Sequence, residues 1–269
     1  MEKKKGKVIM VIGLGEIGKP LFTLISRMDR SAIGVDLEPV MIESEVSLMH
    51  ICYPYVNHNQ FVETTVEYCK RYHPEVVIIN STVTPGTTRQ IEQQTSASCI
   101  YSPIRGKHTK MESDLLHYTK FVAGTNTPAA RKVERHFISL GMKTKIFSSP
   151  EAGELAKLLE TTYFGLLIGW AQEMDRFSNR YDVDYFEMSQ FFEEIAYLPG
   201  LVFQPGFIGG HCVMPNIGLL QTAFDSEFLN AIIHSNEKKG SELGANANVQ
   251  RSRIQPIAPS ELASKKPGM

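Results

Sequence analysis

Short apolar runs alternate with stretches of helical spacing over the first half of the chain. KVIMVIG is a β-branched run ending on glycine, and LFTLISRM behind it repeats apolar positions at helical spacing, so the chain opens as strand, tight turn and helix. SAIGVD reads as a second strand that closes on an acid. SLMHICYP, EVVIINST and ASCIYSP are further strand-length runs, separated by a helical stretch, QFVETTVEYCKRY, and by TTRQIEQQT. KFVAGT, PAARKVERHFISLG and KTKIFSS carry the alternation to residue 149. Strand and helix in regular alternation predict an α/β domain over residues 1–149, a doubly wound parallel sheet with helices on both faces.

The pattern changes at SSPEAGELAKLLETTYFGLLIGWAQEMDRFSNRY. Serine and proline open a run of about 28 residues with helical periodicity and acids in its first turn. This reads as one long helix with a hinge near Gly165 or Gly169. DYFEMSQFFEEIAYL and NIGLLQTAFDSEFLNAIIHSNEKKG are further helical segments, and GFIGGHCVMPN is the loop between them. A mostly helical second domain is expected over residues 150–240. GSELGANANVQRSRIQPIAPSELASKKPGM is poor in bulky apolar residues, so residues 241–269 are expected to form a disordered tail.

Composition narrows the class of protein. With 269 residues, 42% hydrophobic and 21% charged residues and a net charge of -1, the chain is an ordinary globular one of one large or two modest domains. No charge excess argues for nucleic-acid binding or an anionic membrane surface. Cys52, Cys69, Cys99 and Cys212 are scattered without a C-x-x-C pair, so they read as reduced thiols of a cytoplasmic protein and not as metal ligands. The basic N-terminus runs into a glycine-rich turn, not a cleavage site, and FGLLIGWA is far shorter than a bilayer span, so neither secretion nor membrane insertion is inferred.

Gly13, Gly15 and Gly18 form G-x-G-x-x-G between a strand and a helix, and Asp36 closes the next strand. In that setting the first glycine permits a tight turn, the second lets a pyrophosphate approach the backbone, and the third lets helix and strand pack closely. This is a Rossmann-type nucleotide turn, with N–H groups at the helix start to hold phosphates. Asp36 would accept from ribose hydroxyls and repel a phosphate there, which favours NAD over NADP. Glu16 and Ile17 in the turn, with Tyr53, Pro54, Ser81 and Thr82 after later strands, complete the candidate cofactor-binding set.

Four motifs in order carry a resemblance: VIGLGEIGKP, INSTVTPGTT, EAGELAKLLETTYFGLLIGWAQEM and PGFIGGHCVMPN. Over about residues 7 to 235 the chain resembles the UDP-glucose/GDP-mannose dehydrogenase family, particularly its UDP-N-acetylmannosamine dehydrogenase branch. The resemblance implies two-step oxidation of a sugar-nucleotide primary alcohol to a carboxylate with two NAD, through an aldehyde captured on cysteine and a thioester that is hydrolysed. It places Cys212 on the family nucleophile, Lys157 on the oxyanion-stabilising lysine and Thr82 on the threonine that positions water. A lysine near a thiolate favours the ionised sulfur and supplies charge to an alkoxide. Gly209 and Gly210 would let the backbone approach substrate. The blander readings are a small buried thiol and a solvated lysine. His211 beside a single cysteine makes no metal site. The resemblance also implies a homodimer seam along the long helix.

Three positions depart from the family pattern. Ile104 stands where the family has an acid after the proline of a Ser-Pro-Glu-Arg-like stretch, Asn216 where it has an aspartate, and Thr161 where it has an oxyanion-binding asparagine. Isoleucine and asparagine serve as no base at neutral pH, whereas Thr161 retains one hydroxyl to donate. The family's third, nucleotide-binding domain is missing from the expected organisation, and the segment from Asp36 to Leu48 is too short for the usual extra helix and strand. The expectation is an NAD-dependent oxidoreductase of a small molecule, a sugar or sugar nucleotide, with Cys212, Lys157, Thr82, Thr161 and Asn216 in the site and thioester hydrolysis impaired. The alternative is a non-catalytic NAD-binding scaffold or regulatory protein. β-Hydroxyacid dehydrogenases would explain Lys157 but not the GGHC loop.

Overall fold

A computed structural model describes residues 6–106, 108–193, 203–210 and 212–245. The chain divides into two compact units, residues 1–164 with 210–226, and 165–209 with 227–269. This division falls inside the long helix, not at its start at residue 150.

In the first unit, β1 (Lys7–Ile12), β2 (Ile33–Val35), β3 (Glu45–Ile51), β4 (Val76–Ile79), β5 (Ser98–Tyr101), β6 (Lys120–Ala123) and β7 (Thr144–Phe147) form one sheet in the order β2-β1-β3-β4-β5-β6-β7. Every pairing is parallel except β5 with β6. The helices between them are α1 (Gly18–Met28), α2 (His58–Tyr72), α3 (Thr87–Gln93), α4 (Met111–His117) and α5 (Thr127–Ser139).

Strand side chains alternate between two cores. Met10, Ile12, Met49, Ile51, Val77 and Ile79 pack against Phe61 and Val66 of α2 and Ile91 of α3. Val11, Leu48, Ile78 and Ile100 pack against Leu21 and Ile25 of α1, Leu115 of α4, and Val133 and Phe137 of α5. The doubly wound α/β architecture is therefore the one the alternation predicts. Strand order reverses at β1, so the crevice at the carboxyl ends of β1 and β3 is the place where such sheets take ligands.

The helix α6 (Pro150–Arg180) is 31 residues long and runs unbroken through Gly165 and Gly169, which corrects the expected hinge. A helical glycine costs about 1 kcal/mol against alanine, too little to interrupt a ladder held on both sides. At its start α6 lies against the sheet: a Cβ on Gly153 would stand 2.9 Å from both Ala123 Cβ and Tyr101 Cδ1. The expected continuous segment from residue 216 to 240 is two helices, α8 (Val213–Gln221) and α9 (Glu227–Ala245). The former begins inside the cysteine loop, where Pro215 is tolerated because first-turn N–H groups have no helical partner. α4 lacked a sequence signal because Met111 and Leu115 are its only buried positions.

In the second unit, α6 from Gly165, α7 (Tyr185–Glu193) and α9 surround a small core of Ala171, Met174 and Tyr185. A polar seam joins α6 to α9: Arg176 donates to Glu242 Oε1 (2.7 Å) and to the Ser235 carbonyl (2.9 Å), and Lys239 pairs with Asp175 (2.6 Å). The Glu242 pairs hold the last turns helical to Ala245, correcting the expected start of the tail at residue 241. The remainder of that tail, 246–269, and the end of the expected helix past residue 193 lie outside the described residues.

Replacing Gly153 with valine should lower stability by about 1–3 kcal/mol in chemical denaturation, the usual cost of overpacking. Gly169→Ala, where an added Cβ meets nothing within 4 Å, should leave stability equal or higher.

Candidate active site

The nucleotide turn is built as its glycines require. Gly13 has φ +89° and donates its N–H to the Val35 carbonyl at 2.8 Å, and a Cβ there would sit 2.6 Å from the Tyr53 nitrogen. A Cβ on Gly18 would lie 1.7 Å from the Gly13 carbonyl oxygen, so only glycine permits this approach of α1 to the turn. Gly15 is exposed, with open space around its Cβ position. Ile17 precedes α1 without a capping side-chain bond, which leaves the first turn to an external acceptor.

Asp36 Oδ1 accepts from the Leu14 N–H at 3.2 Å, holding the turn while the carboxylate keeps a second oxygen for a ribose hydroxyl. A cavity of ≈ 860 Å³ opens beside the turn, lined by Gly15, Glu16 and Lys19 and, across it, by Lys110 and Met111. Tyr53 and Ser81 have committed side chains: the Tyr53 hydroxyl pairs with Thr65 Oγ1 at 2.5 Å, and Ser81 Oγ donates to the Tyr53 carbonyl at 2.6 Å. They do not line that cavity; Pro54, after β3, is exposed, and Thr82 is half-buried in the turn after β4.

The start of α6 is fixed to that same turn by a residue sequence reasoning passed over. Glu154 is fully buried and accepts from the Gly86 N–H (2.6 Å) and Thr88 N–H (2.8 Å), so its carboxylate sits at the N-terminus of α3. Burial raises its pKa and the Thr88 and Gly86 hydrogen bonds oppose that rise. Its signal in the sequence was position: one helical turn before Lys157, on the same face.

Lys157 is mostly buried, its side chain 12% exposed. Burial lowers its pKa first, Glu160 and Cys212 pull it back up, and Arg105 lowers it further. Cys212 is thus within electrostatic reach of the Lys157 ammonium. Its thiol is exposed at the N-cap position of α8, while Cys52, Cys69 and Cys99 are buried and their thiols pushed up by burial. The structure therefore brings Cys212, Lys157, Thr161 and Asn216 into one neighbourhood. His211 lies outside the described residues.

The substituted positions form their own arrangement. Asn216, 5% exposed, donates its amide to Thr161 Oγ1 at 2.8 Å, and the Thr161 hydroxyl donates to the Leu158 carbonyl at 3.0 Å. The Thr161 hydroxyl is thus engaged with its own helix in this structure. Ile104, 6% exposed, joins the core with Val11, Ile100 and Met111. Next to it Arg105 stacks over Phe121 (5.0 Å) and Tyr118 (5.5 Å), and its guanidinium reaches Glu160 at 3.7 Å.

Beneath the segment leading to Ile104 lies a buried polar chain that sequence reasoning missed. Lys120 Nζ donates to Asn80 Oδ1 (3.2 Å) and to the carbonyls of Ser102 (2.6 Å) and Pro103 (2.9 Å). Asn80 therefore turns its amide to His50 Nδ1 (3.2 Å), which makes His50 Nε2 the donor to His136 Nε2 (3.1 Å), both rings being neutral. Burial depresses all three cations, Lys120 to about 7, His136 to about 4 and His50 below its usual range. The one visible signal was a lysine opening the apolar strand KFVA.

Fold and turn together define a Rossmann-type, doubly wound α/β architecture with a nucleotide-binding turn. Residues 151–238 match the central domain of the UDP-glucose/GDP-mannose dehydrogenase family. It is 21% identical over 256 residues to a UDP-N-acetyl-D-mannosamine dehydrogenase of Methanocaldococcus jannaschii, covering 77% of this chain and 60% of that protein. The chain thus spans about three-fifths of that relative's length. Its fold matches the solved UDP-D-ManNAc dehydrogenase of Pyrococcus horikoshii with a TM-score of 0.76 at 19% identity, over 90% of this chain and 71% of the other. A 3-hydroxyisobutyrate dehydrogenase of Mycobacterium tuberculosis shares the fold with a TM-score of 0.67 at 13% identity, over 88% and 94%.

The buried cations set a pH dependence of stability. Between about 7 and the ordinary lysine value of 10.5 the unfolded chain binds a proton that native Lys120 does not, so stability rises with pH through that window, by up to about 1.4 kcal/mol per pH unit. His136 gives the same sign between about 4 and 6.5. In denaturant titrations Lys120→Met should flatten the alkaline rise and leave the acidic one.

Proposed function

We propose that this chain is an NAD-dependent oxidoreductase acting on the hydroxyl carbon of a sugar nucleotide, with Cys212 as nucleophile and Lys157 as oxyanion partner. The observation that carries this reading is the single exposed thiol, placed at a helix start within the field of a buried lysine. Gly13, Gly15 and Gly18 with Asp36 suit NAD: an uncapped helix start for the pyrophosphate and a carboxylate for the ribose. When bound, NAD accepts hydride. The chain's own residues do the remainder: Lys157 stabilises alkoxide charge, Cys212 adds to the aldehyde, and Thr82 positions water in the turn that Glu154 anchors.

Water attack on an acyl-cysteine is the step left weak. Ile104 is apolar and buried, and the Asn216 amide is occupied by Thr161. A thioester on Cys212 therefore forms faster than it is released. The regulatory alternative draws on the same two substitutions: a protein that binds NAD and turns nothing over. Four reduced thiols, three of them buried, suit the cytoplasm. On α6 of the second unit, Leu166, Trp170 and Phe177 are exposed at spacings of four and seven, and Tyr181 is exposed just past its end, a surface suited to a second copy of the chain in a homodimer.

NAD at 100 times its Kd should stabilise the protein against unfolding by about 2.7 kcal/mol, with NADP less effective. Mixing with NAD and a sugar-nucleotide alcohol should give a burst of NADH followed by a slow phase, and Cys212→Ser should remove the acyl-enzyme part of the burst. A linear trace with two NADH per substrate would contradict the slow release. NAD binding without NADH from any sugar nucleotide would favour the regulatory reading, and oxidation of a 3-hydroxy acid would favour the β-hydroxyacid dehydrogenase one.

A further inference from the structure

Removing hydride from an alcohol carbon leaves a hydroxyl proton that some group must accept. The two positions where the family resemblance places carboxylates hold Ile104 and Asn216. Thr161 donates its proton to its own helix, and a protonated Lys157 has no lone pair to offer. A carboxylate does reach this neighbourhood from another position. Glu160, one turn beyond Lys157 on the same face of α6, puts Oε2 3.8 Å from Lys157 Nζ and Oε1 3.7 Å from Arg105 Nη1.

We propose that Glu160 is the proton acceptor of the site, taking the hydroxyl proton as hydride leaves the same carbon. The role rests on the oxidoreductase reading above and adds to it the missing base. The step balances as alcohol plus NAD plus carboxylate giving aldehyde, NADH and carboxylic acid, after which the acid returns its proton to solvent. Geometry favours Glu160 in three ways. Both cationic neighbours stand beyond hydrogen-bond distance, so charge orients the carboxylate without occupying its lone pairs. Its side chain is 49% exposed, open to an incoming hydroxyl or a relaying water. Arg105 is itself fixed, donating to the Thr119 carbonyl at 3.1 Å and stacked on Phe121 and Tyr118, so the cation facing Glu160 does not wander.

A plain surface ion pair would have the same distances and little energetic weight. The 269-residue chain with NAD and a sugar-nucleotide alcohol separates the two. Glu160→Gln should slow the NADH burst by on the order of 100-fold, leave KM near the wild-type value and abolish the acidic limb of the pH profile of the burst rate, while Glu160→Asp recovers part of the rate. Independently of turnover, Glu160→Gln should speed iodoacetamide alkylation of Cys212 at pH 7 by about 2- to 5-fold, because the Lys157 charge is no longer neutralised. Melting within a few degrees of wild type confirms that the variants fold. An active enzyme in which Glu160→Gln keeps the burst rate and pH profile overturns the proposal alone, as does an unchanged alkylation rate. Wild-type protein that binds NAD but produces no NADH sinks the oxidoreductase reading and this role with it, a result distinct from the first two.

Discussion

The buried carboxylate of Glu154 is the contact on which the candidate site depends. Its oxygens accept two backbone N–H groups at the start of α3, so the first turns of α6 are tied to the loop at the carboxyl end of β4. Removing a buried acceptor from two such donors leaves both unsatisfied, an expensive arrangement away from water. Once that turn of α6 is fixed, helical geometry does the rest. Lys157 follows one turn on, Glu160 one turn further, and Thr161 meets Asn216 at the first turn of α8, which Cys212 opens. Close approach of α6 at Gly153 to β5 and β6 reinforces the same placement.

Around this anchor, polar groups divide between holding and acting. Lys120 spends its hydrogen bonds on Asn80 and on the carbonyls of Ser102 and Pro103, fixing the segment that presents Ile104 to the core and Arg105 to Glu160. Asn216 donates to Thr161, whose hydroxyl donates to the Leu158 carbonyl. The exposed thiol of Cys212 and the half-exposed carboxylate of Glu160 remain for chemistry. With Cys212 as nucleophile and Glu160 as proton acceptor, the roles proposed above, such a site would support oxidation and aldehyde capture better than hydrolysis.

Much of the fold was legible because the sheet is mostly parallel and buried on both faces, which writes its strands as runs such as VVII and VIMVI. The glycine turn was legible for a different reason: Gly13 and Gly18 occupy positions that no side chain can share with the backbone nearby. The break between α8 and α9 was not, since residues 222–226 carry neither glycine nor proline to punctuate an apolar run. Glu154, Glu160 and Lys120 escaped because single charged residues on a helix or at a strand end look like solvent-facing ones until tertiary packing gives them partners. Ile104, Asn216 and Thr161 were visible as departures, yet their mutual accommodation could be read only from the hydrogen bond between the last two and the burial of the first.

Intact-protein mass spectrometry after rapid quench of a single turnover with NAD and a sugar-nucleotide alcohol reads the covalent state of Cys212 itself. One acyl group per chain is expected, mapped to Cys212 and released by hydroxylamine. An unmodified chain accompanied by NADH formation would contradict a covalent role for Cys212.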